Sequence, residues 1–80
     1  MNINDYLELY KSEASDSLQA LENGLIGLES SAEPRAQIDE LFRRAHNLKG
    51  ISSAMGYDDV VGASHDLESA FDKLRRGDSI

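Results

Sequence analysis

The stretch PRAQIDELFRRAHNLKGISSAMG, residues 34–56, decides the fold class, because it contains both the ends and the buried face of one helix. Proline is favoured at the first position of a helix, and glycine is favoured just beyond the last. Between them, apolar or small side chains recur at spacings of three and four: Ile38, Leu41, Ala45, Leu48, Ser52 and Met55. This spacing predicts a helix over 34–55 with one buried face.

The segments on either side show the same helical spacing. The first predicts a helix over about 4–29, capped by Asn2 or Asn4, and the third predicts a helix over about 58–76, capped by Asp58. The apolar face of the first is Ile3, Leu7, Tyr10, Ala14, Leu18, Leu21, Leu25 and Leu28. The apolar face of the third is Val60, Ser64, Leu67, Phe71 and Leu74.

The chain has 80 residues, which suffice for a single domain and little more. No segment alternates between apolar and polar residues as a strand would. We therefore predict an all-α fold, an antiparallel up-and-down helical bundle over residues 1–80. The second and third helices form a pair joined by a tight turn after Gly56.

Composition and charge exclude several classes of function. The chain has 15 acids and 8 bases, a formal net charge of −7, which disfavours non-specific binding of nucleic acid. It has no cysteine, so disulfides and thiolate metal sites are excluded. No apolar run reaches the roughly 18 residues of a membrane span, and the acidic start does not resemble a signal peptide. We therefore expect a soluble, cytoplasmic protein that has no nucleic-acid partner and does not insert into a membrane.

The charges are unevenly distributed along the chain. Residues 1–34 contain seven acids and one base, and residues 57–80 contain six acids and three bases. Residues 35–56 instead contain four bases and two acids. The predicted second helix is therefore the only basic segment, and it carries His46.

At 100° per residue, His46 lies off the buried face of the second helix, with Lys49 and Gly50 on the same side one turn further on. Folding the second and third helices about the turn after Gly56 brings His46 level with about residue 67. We therefore expect His46 and Glu68 to face each other across the hairpin.

This grouping suits transfer of a phosphoryl group. A neutral imidazole is a nucleophile at one ring nitrogen if the other nitrogen keeps its proton and has an acceptor for it. Glu68 would accept that proton's hydrogen bond and stabilise positive charge on the ring, as the acid of a catalytic triad does. Lys49 would offset the charge of an arriving phosphoryl group, and Gly50 would leave room for a bulky partner.

The residues in and around this site resemble a known family. The run IDELFRRAHNLKG, residues 38–50, ends in a pattern similar to the H-x-L-K-G signature of histidine phosphotransfer (Hpt) domains. The runs MGY at 55–57 and HDLE at 65–68 extend the similarity into the third helix. The resemblance covers nearly the whole chain and is strongest to the Hpt domains of chemotaxis histidine kinases.

The resemblance implies a role for each residue of the site. His46 would take the γ-phosphoryl group of ATP from a separate kinase catalytic domain and pass it to an aspartate of a response regulator. Glu68 would bond the other ring nitrogen, Lys49 would lie beside the phosphoryl group, Gly50 would clear access, and His65 would lie at the rim. The chain has no nucleotide-binding loop, so ATP is expected to be a cofactor of the kinase domain only. The parent chain is expected to be a protein-histidine kinase.

The resemblance also implies a bundle of four helices, whereas this chain supplies only three. Four helices of about 20 residues with their loops need about 100 residues. We therefore expect the sequence to be truncated at its C-terminal end. The apolar face that a fourth helix would cover should promote self-association.

Two other functions fit the residues less well. His65 and Glu68 lie three apart on one helix and, with His46, could form a metal site, although three such ligands without a second acid cluster make a weak one. The chain could also be a structural helical module for interaction or dimerisation, with incidental histidines.

Overall fold

The computed structural model describes residues 2–77, which form three helices and no strand. Helix α1 spans Ile3–Ile26, α2 spans Pro34–Met55, and α3 spans Asp58–Arg75. Helix α2 packs against both of the others, whereas α1 and α3 do not approach each other closely within residues 2–77. The structure confirms the predicted all-α class. The expected truncation and missing fourth helix stay predictions.

Helix α1 begins as expected and ends three residues earlier than expected. The side chain of Asn2 accepts a hydrogen bond from the backbone N–H of Asp5 at 3.0 Å, and the carboxylate of Asp5 accepts one from Asn2 N–H. This capping box satisfies two N–H groups at the helix start. The helix ends at Ile26 rather than at residue 29 because Gly27 has a low helix propensity and the chain then turns, with Ser30 Oγ donating to the carbonyl of Gly27.

The turn between α2 and α3 aligns the two helices. Gly56 ends α2 with a φ of 75°, a left-handed conformation that favours glycine. Tyr57, rather than the predicted Asp58, is the N-cap of α3, and no side chain caps that end. Asp58 lies instead in the first turn, where its negative charge interacts favourably with the helix dipole. Helix α3 ends at Arg75, one residue before the predicted end.

The core lies along α2. Its buried apolar side chains are Ala14 and Leu21 of α1, Leu41, Ala45 and Leu48 of α2, and Phe71 of α3. Three serines, Ser17, Ser52 and Ser64, are also buried, one on each helix. Small residues in these positions let the helices pack closely.

The buried face of α1 differs from the predicted one. Leu18 and Leu25 were expected in the core but are about half exposed, and Ser17 and Gly24 are buried instead. The reason is visible at Gly24, where an added Cβ would lie 2.6 Å from a methyl group of Leu41. Helix α1 therefore contacts α2 through its small residues, which leaves the larger leucines on the uncovered side.

Tyr10 connects α1 to the end of the α2–α3 hairpin where the turn lies. Its hydroxyl lies 2.8 Å from Oγ of Ser52, and its ring contacts that of Tyr57 edge to face at 5.1 Å. Together with the Gly24–Leu41 contact, this fixes α1 antiparallel to α2 at both ends. Among residues 2–77, no helix is long and apolar enough to cross a membrane.

Candidate functional site

The site lies between α2 and α3, where the antiparallel pairing brings His46 opposite Glu68. Nδ1 of His46 lies 3.1 Å from Oε1 of Glu68, the contact expected from the helical positions of the two residues. The two side chains differ in exposure, 63% for His46 and 15% for Glu68. The imidazole is therefore open to a partner, while the carboxylate beneath it is shielded from water.

Lys49 binds the second oxygen of the same carboxylate. Its Nζ lies 2.8 Å from Oε2 of Glu68, so both carboxylate oxygens have partners. The hydrogen bond from Lys49 lowers the pKa of Glu68 below its ordinary value, and the hydrogen bond with His46 lowers it further, against the opposing effect of burial. Glu68 is therefore ionised at neutral pH.

The ionised state of Glu68 determines how the proton of His46 is placed. An ionised carboxylate can only accept hydrogen bonds, so Nδ1 of His46 must be the donor. In the neutral imidazole the single ring proton then lies on Nδ1, and the lone pair of Nε2 is free. The site thus holds a nucleophilic nitrogen on a side chain that is largely exposed.

Two further residues, Phe42 and Arg75, lie beside this site and were not among the predicted site residues. The ring of Phe42 lies 6.2 Å from the His46 ring, centroid to centroid, with the planes 13° apart. The guanidinium of Arg75 lies over Phe42, 4.0 Å from the ring centroid. Arg75 also bonds Asp72 of α3 at 2.7 Å and Asp39 of α2 at 3.4 Å. The sequence contains one indication of the Phe42 contact: Phe42 precedes His46 by four residues, a spacing that brings two side chains together on one face of a helix.

The other two candidate residues, Gly50 and His65, are exposed. A Cβ added to Gly50 would meet no atom within 4 Å, so the surface one turn after His46 is open. His65 makes no hydrogen bond or ion pair within residues 2–77 and is not part of the contacts around Glu68.

The metal site that His65, Glu68 and His46 could have formed finds no support. Within the part of the chain that the structure describes, no three His, Asp or Glu side chains are grouped to hold a metal ion. Glu68 is also already bound by the ammonium group of Lys49, whose charge would repel a cation.

Comparison with known proteins identifies the family. A family model described as "Hpt domain" matches residues 5–79, and the chain therefore belongs to the Hpt domain family. Chemotaxis protein CheA of Halobacterium salinarum is 39% identical over 75 residues, which is 94% of this chain and 11% of that protein. CheA of Bacillus subtilis is 37% identical over 78 residues, 98% of this chain and 12% of that protein. No solved structure matches.

The chain spans about a tenth of the length of these curated relatives. The matched region contains the whole of the site, from His46 on α2 to Glu68 on α3. The family assignment therefore applies to the residues described above, while what the longer proteins do as a whole belongs to the proposal that follows.

Proposed function

We propose that this chain is the phosphotransfer module of a chemotaxis-type two-component system, in which His46 carries the phosphoryl group. The observation that carries the proposal is the contact of His46 Nδ1 with the ionised Glu68, which leaves Nε2 free as a nucleophile. Membership of the Hpt family and similarity to chemotaxis CheA proteins support it.

In the first step, the lone pair of Nε2 attacks the γ-phosphorus of ATP held by a kinase catalytic domain. A bond forms between nitrogen and phosphorus, and the bond to the bridging oxygen breaks, so ADP leaves with that electron pair. The imidazole gains positive charge while Nδ1 keeps its proton. Glu68 stabilises this charge through its hydrogen bond at 3.1 Å.

In the second step, an aspartate carboxylate of a receiver domain attacks the same phosphorus. The bond between nitrogen and phosphorus breaks, and its electron pair returns to Nε2. Lys49 contributes positive charge beside the site, since its ammonium group lies 2.8 Å from Glu68 and its side chain is 27% exposed. The 63% exposure of His46 suits a group that must reach two different partner domains.

In this proposal the chain is a substrate and carrier, and the kinase activity lies in a separate catalytic domain of the parent protein. ATP is used by that domain, and the proposed location is the cytoplasm. The partners are the kinase domain and the receiver domain of a response regulator.

The direct test is transfer of label from γ-³²P-ATP by the catalytic domain of a chemotaxis histidine kinase. The wild-type chain is expected to become labelled, and His46→Gln is expected to abolish labelling while the circular dichroism of the helices is retained. His65→Gln is the matched control, because it makes the same change at the other exposed histidine, and it should stay labelled. Labelling of the His46→Gln variant would refute the proposal.

Self-association through an uncovered apolar face stays a prediction. Leu18 is 54% exposed and lines a depression of about 450 Å³ together with Leu48 of α2 and Val60 of α3. A second copy of the chain could bury this surface, and the driving force is removal of apolar area from water. Sedimentation equilibrium at rising concentration checks this, and a monomer at every concentration would contradict it.

A further inference from the structure

The hydrogen bond to Glu68 does not by itself fix the orientation of the His46 ring. It holds one atom, Nδ1, and the side chain is otherwise 63% exposed. A ring held at one atom can still tilt about that contact, which moves Nε2 away from the line of attack. In-line transfer depends on the direction of the attacking lone pair, so a second contact on the ring would affect the rate.

Phe42 supplies this second contact. Its ring is nearly parallel to the imidazole, at 13°, with a centroid separation of 6.2 Å, which is within the range of offset aromatic pairs. Phe42 is itself half-buried and packs against the core, so it is a firmer support than a solvated side chain. The hydrogen bond to Glu68 and the face of Phe42 together restrict both the position and the tilt of the His46 ring.

Arg75 restrains Phe42 in turn. Its guanidinium lies 4.0 Å from the centroid of the Phe42 ring, a cation–π distance. The guanidinium is held by Asp39 on α2 and by Asp72 on α3, so it also links the two helices that carry the site. A planar guanidinium can stack on a ring and bond two carboxylates at once, which a lysine cannot do.

We propose that Phe42 and Arg75 are positioning residues for His46, with Arg75 holding Phe42 and Phe42 holding the imidazole in the plane from which Nε2 attacks. This inference rests on the proposed function, since it concerns the rate of phosphorylation of His46. Neither residue touches the reacting atoms in this arrangement.

Phosphoramidate, a small phosphoryl donor, tests the inference without the contribution of kinase docking. Phe42→Leu keeps an apolar side chain but removes the ring, and it is expected to slow phosphorylation of His46 about fivefold. Phe42→Tyr keeps the ring and is expected to restore the rate to within about twofold of wild type. Thermal unfolding of each variant identifies any loss of rate that comes only from loss of folding.

Arg75→Gln is the second variant, and it is expected to slow the same reaction about threefold. Arg44→Gln is its matched control, because Arg44 also pairs with a carboxylate, Glu40 at 3.0 Å within α2, but within residues 2–77 it is not stacked on Phe42 as Arg75 is. The control should react at the wild-type rate. Equal rates for the Arg75→Gln and Arg44→Gln variants would overturn the role of Arg75.

Nitrogen chemical shifts of the His46 ring separate an effect on ring orientation from loss of the contact with Glu68. Wild type and Phe42→Leu are both expected to show the tautomer with the proton on Nδ1, because the contact with Glu68 remains, so a slower reaction of Phe42→Leu is then due to the orientation of the ring. An unchanged rate in Phe42→Leu, or a slower rate that comes with a change of tautomer, would refute the inference. If His46→Gln abolishes labelling while Phe42→Leu reacts normally, only this inference fails; if His46→Gln is still labelled, the proposed function fails.

Discussion

His46 and His65 are two exposed histidines on neighbouring helices, and the structure surrounds them very differently. His46 contacts the carboxylate of Glu68 and the ring of Phe42. His65 lies one turn before Glu68 on α3, yet it makes no hydrogen bond or ion pair within residues 2–77. Exposure alone therefore does not distinguish the two histidines, whereas the contacts with Glu68 and Phe42 do.

The difference arises from the pairing of α2 with α3. Glu68 is 15% exposed because it lies in the seam between the two helices, where it meets both His46 and Lys49. His65 lies outside that seam. The comparison predicts that changes to the contacts of His46 slow phosphoryl transfer, and that equivalent changes near His65 do not.

After loss of His46 itself, Glu68→Gln should produce the largest effect on phosphorylation. The amide can still accept a hydrogen bond from Nδ1, but it lacks the charge that stabilises the phosphorylated ring. Charge-assisted hydrogen bonds exceed neutral ones by about 1.4 kcal/mol, so the rate of phosphorylation should fall about tenfold without being abolished. The initial rate of labelling from γ-³²P-ATP by the kinase catalytic domain measures this.

Asp66→Asn is the matched control for Glu68→Gln. Asp66 is an exposed acid on the same helix, next to His65, so its replacement removes one negative charge without touching the contacts of His46. The control should react at nearly the wild-type rate. Equal losses in both variants would mean that overall charge, rather than the contact with His46, sets the rate.

Gly50→Ala tests whether the open surface beside His46 is used by a partner. An added methyl meets no atom of the chain within 4 Å, and alanine in a helix interior is favoured over glycine by about 1 kcal/mol, so the variant should be more stable. Phosphorylation by the kinase domain should nevertheless fall about threefold, because a methyl group at a close contact hinders docking. The rate with phosphoramidate, which needs no docking, should be unchanged.

Gly62→Ala is the control for this variant, since Gly62 is also exposed within a helix, with no atom within 4 Å of an added Cβ. It should gain similar stability, measured by urea unfolding, and keep the wild-type rate with the kinase. If both alanine variants slow the reaction equally, greater helix stability rather than access explains the loss.

The lowered pKa of Glu68 predicts how stability depends on pH. A carboxyl group with a folded-state pKa below its ordinary value stabilises the fold above that ordinary value, 4.5, and the contribution is lost as pH falls through the folded-state pKa. The difference in unfolding free energy between wild type and Glu68→Gln should therefore be present above pH 4.5 and should shrink below it. Urea unfolding of both proteins from about pH 5.5 to about pH 2.5 measures this difference, and a constant difference would contradict the assigned contacts.

Much of the fold could be predicted because α2 carries strong local signals. Pro34 and Gly56 mark its ends, and the turn after Gly56 forces α3 back along it, which sets His46 opposite Glu68. The buried face of α1 could not be predicted in the same way. Its apolar residues occupy more than one side, and which side is buried depends on the close approach of Gly24 to Leu41.

The contacts of Phe42 and Arg75 are a second feature that local patterns do not reveal. Arg75 is a basic residue at the end of a helix, where positive charge interacts favourably with the helix dipole, so its residue type suggests no further role. Its position over Phe42 depends on the lateral packing of α2 against α3 and on the carboxylates of Asp39 and Asp72. Side-chain contacts between helices are set by this packing rather than by spacing within one helix.

His65→Ala should produce the smallest effect and is the sharpest check on the comparison of the two histidines. Because His65 has no hydrogen bond or ion pair within the described residues, its removal leaves the tautomer and the ring position of His46 unchanged. The rate of phosphorylation should stay within about twofold of wild type with either donor. A loss as large as that of His46→Gln would show that His65 acts directly in the transfer. The role proposed for His46 would then belong to His65 or to both histidines.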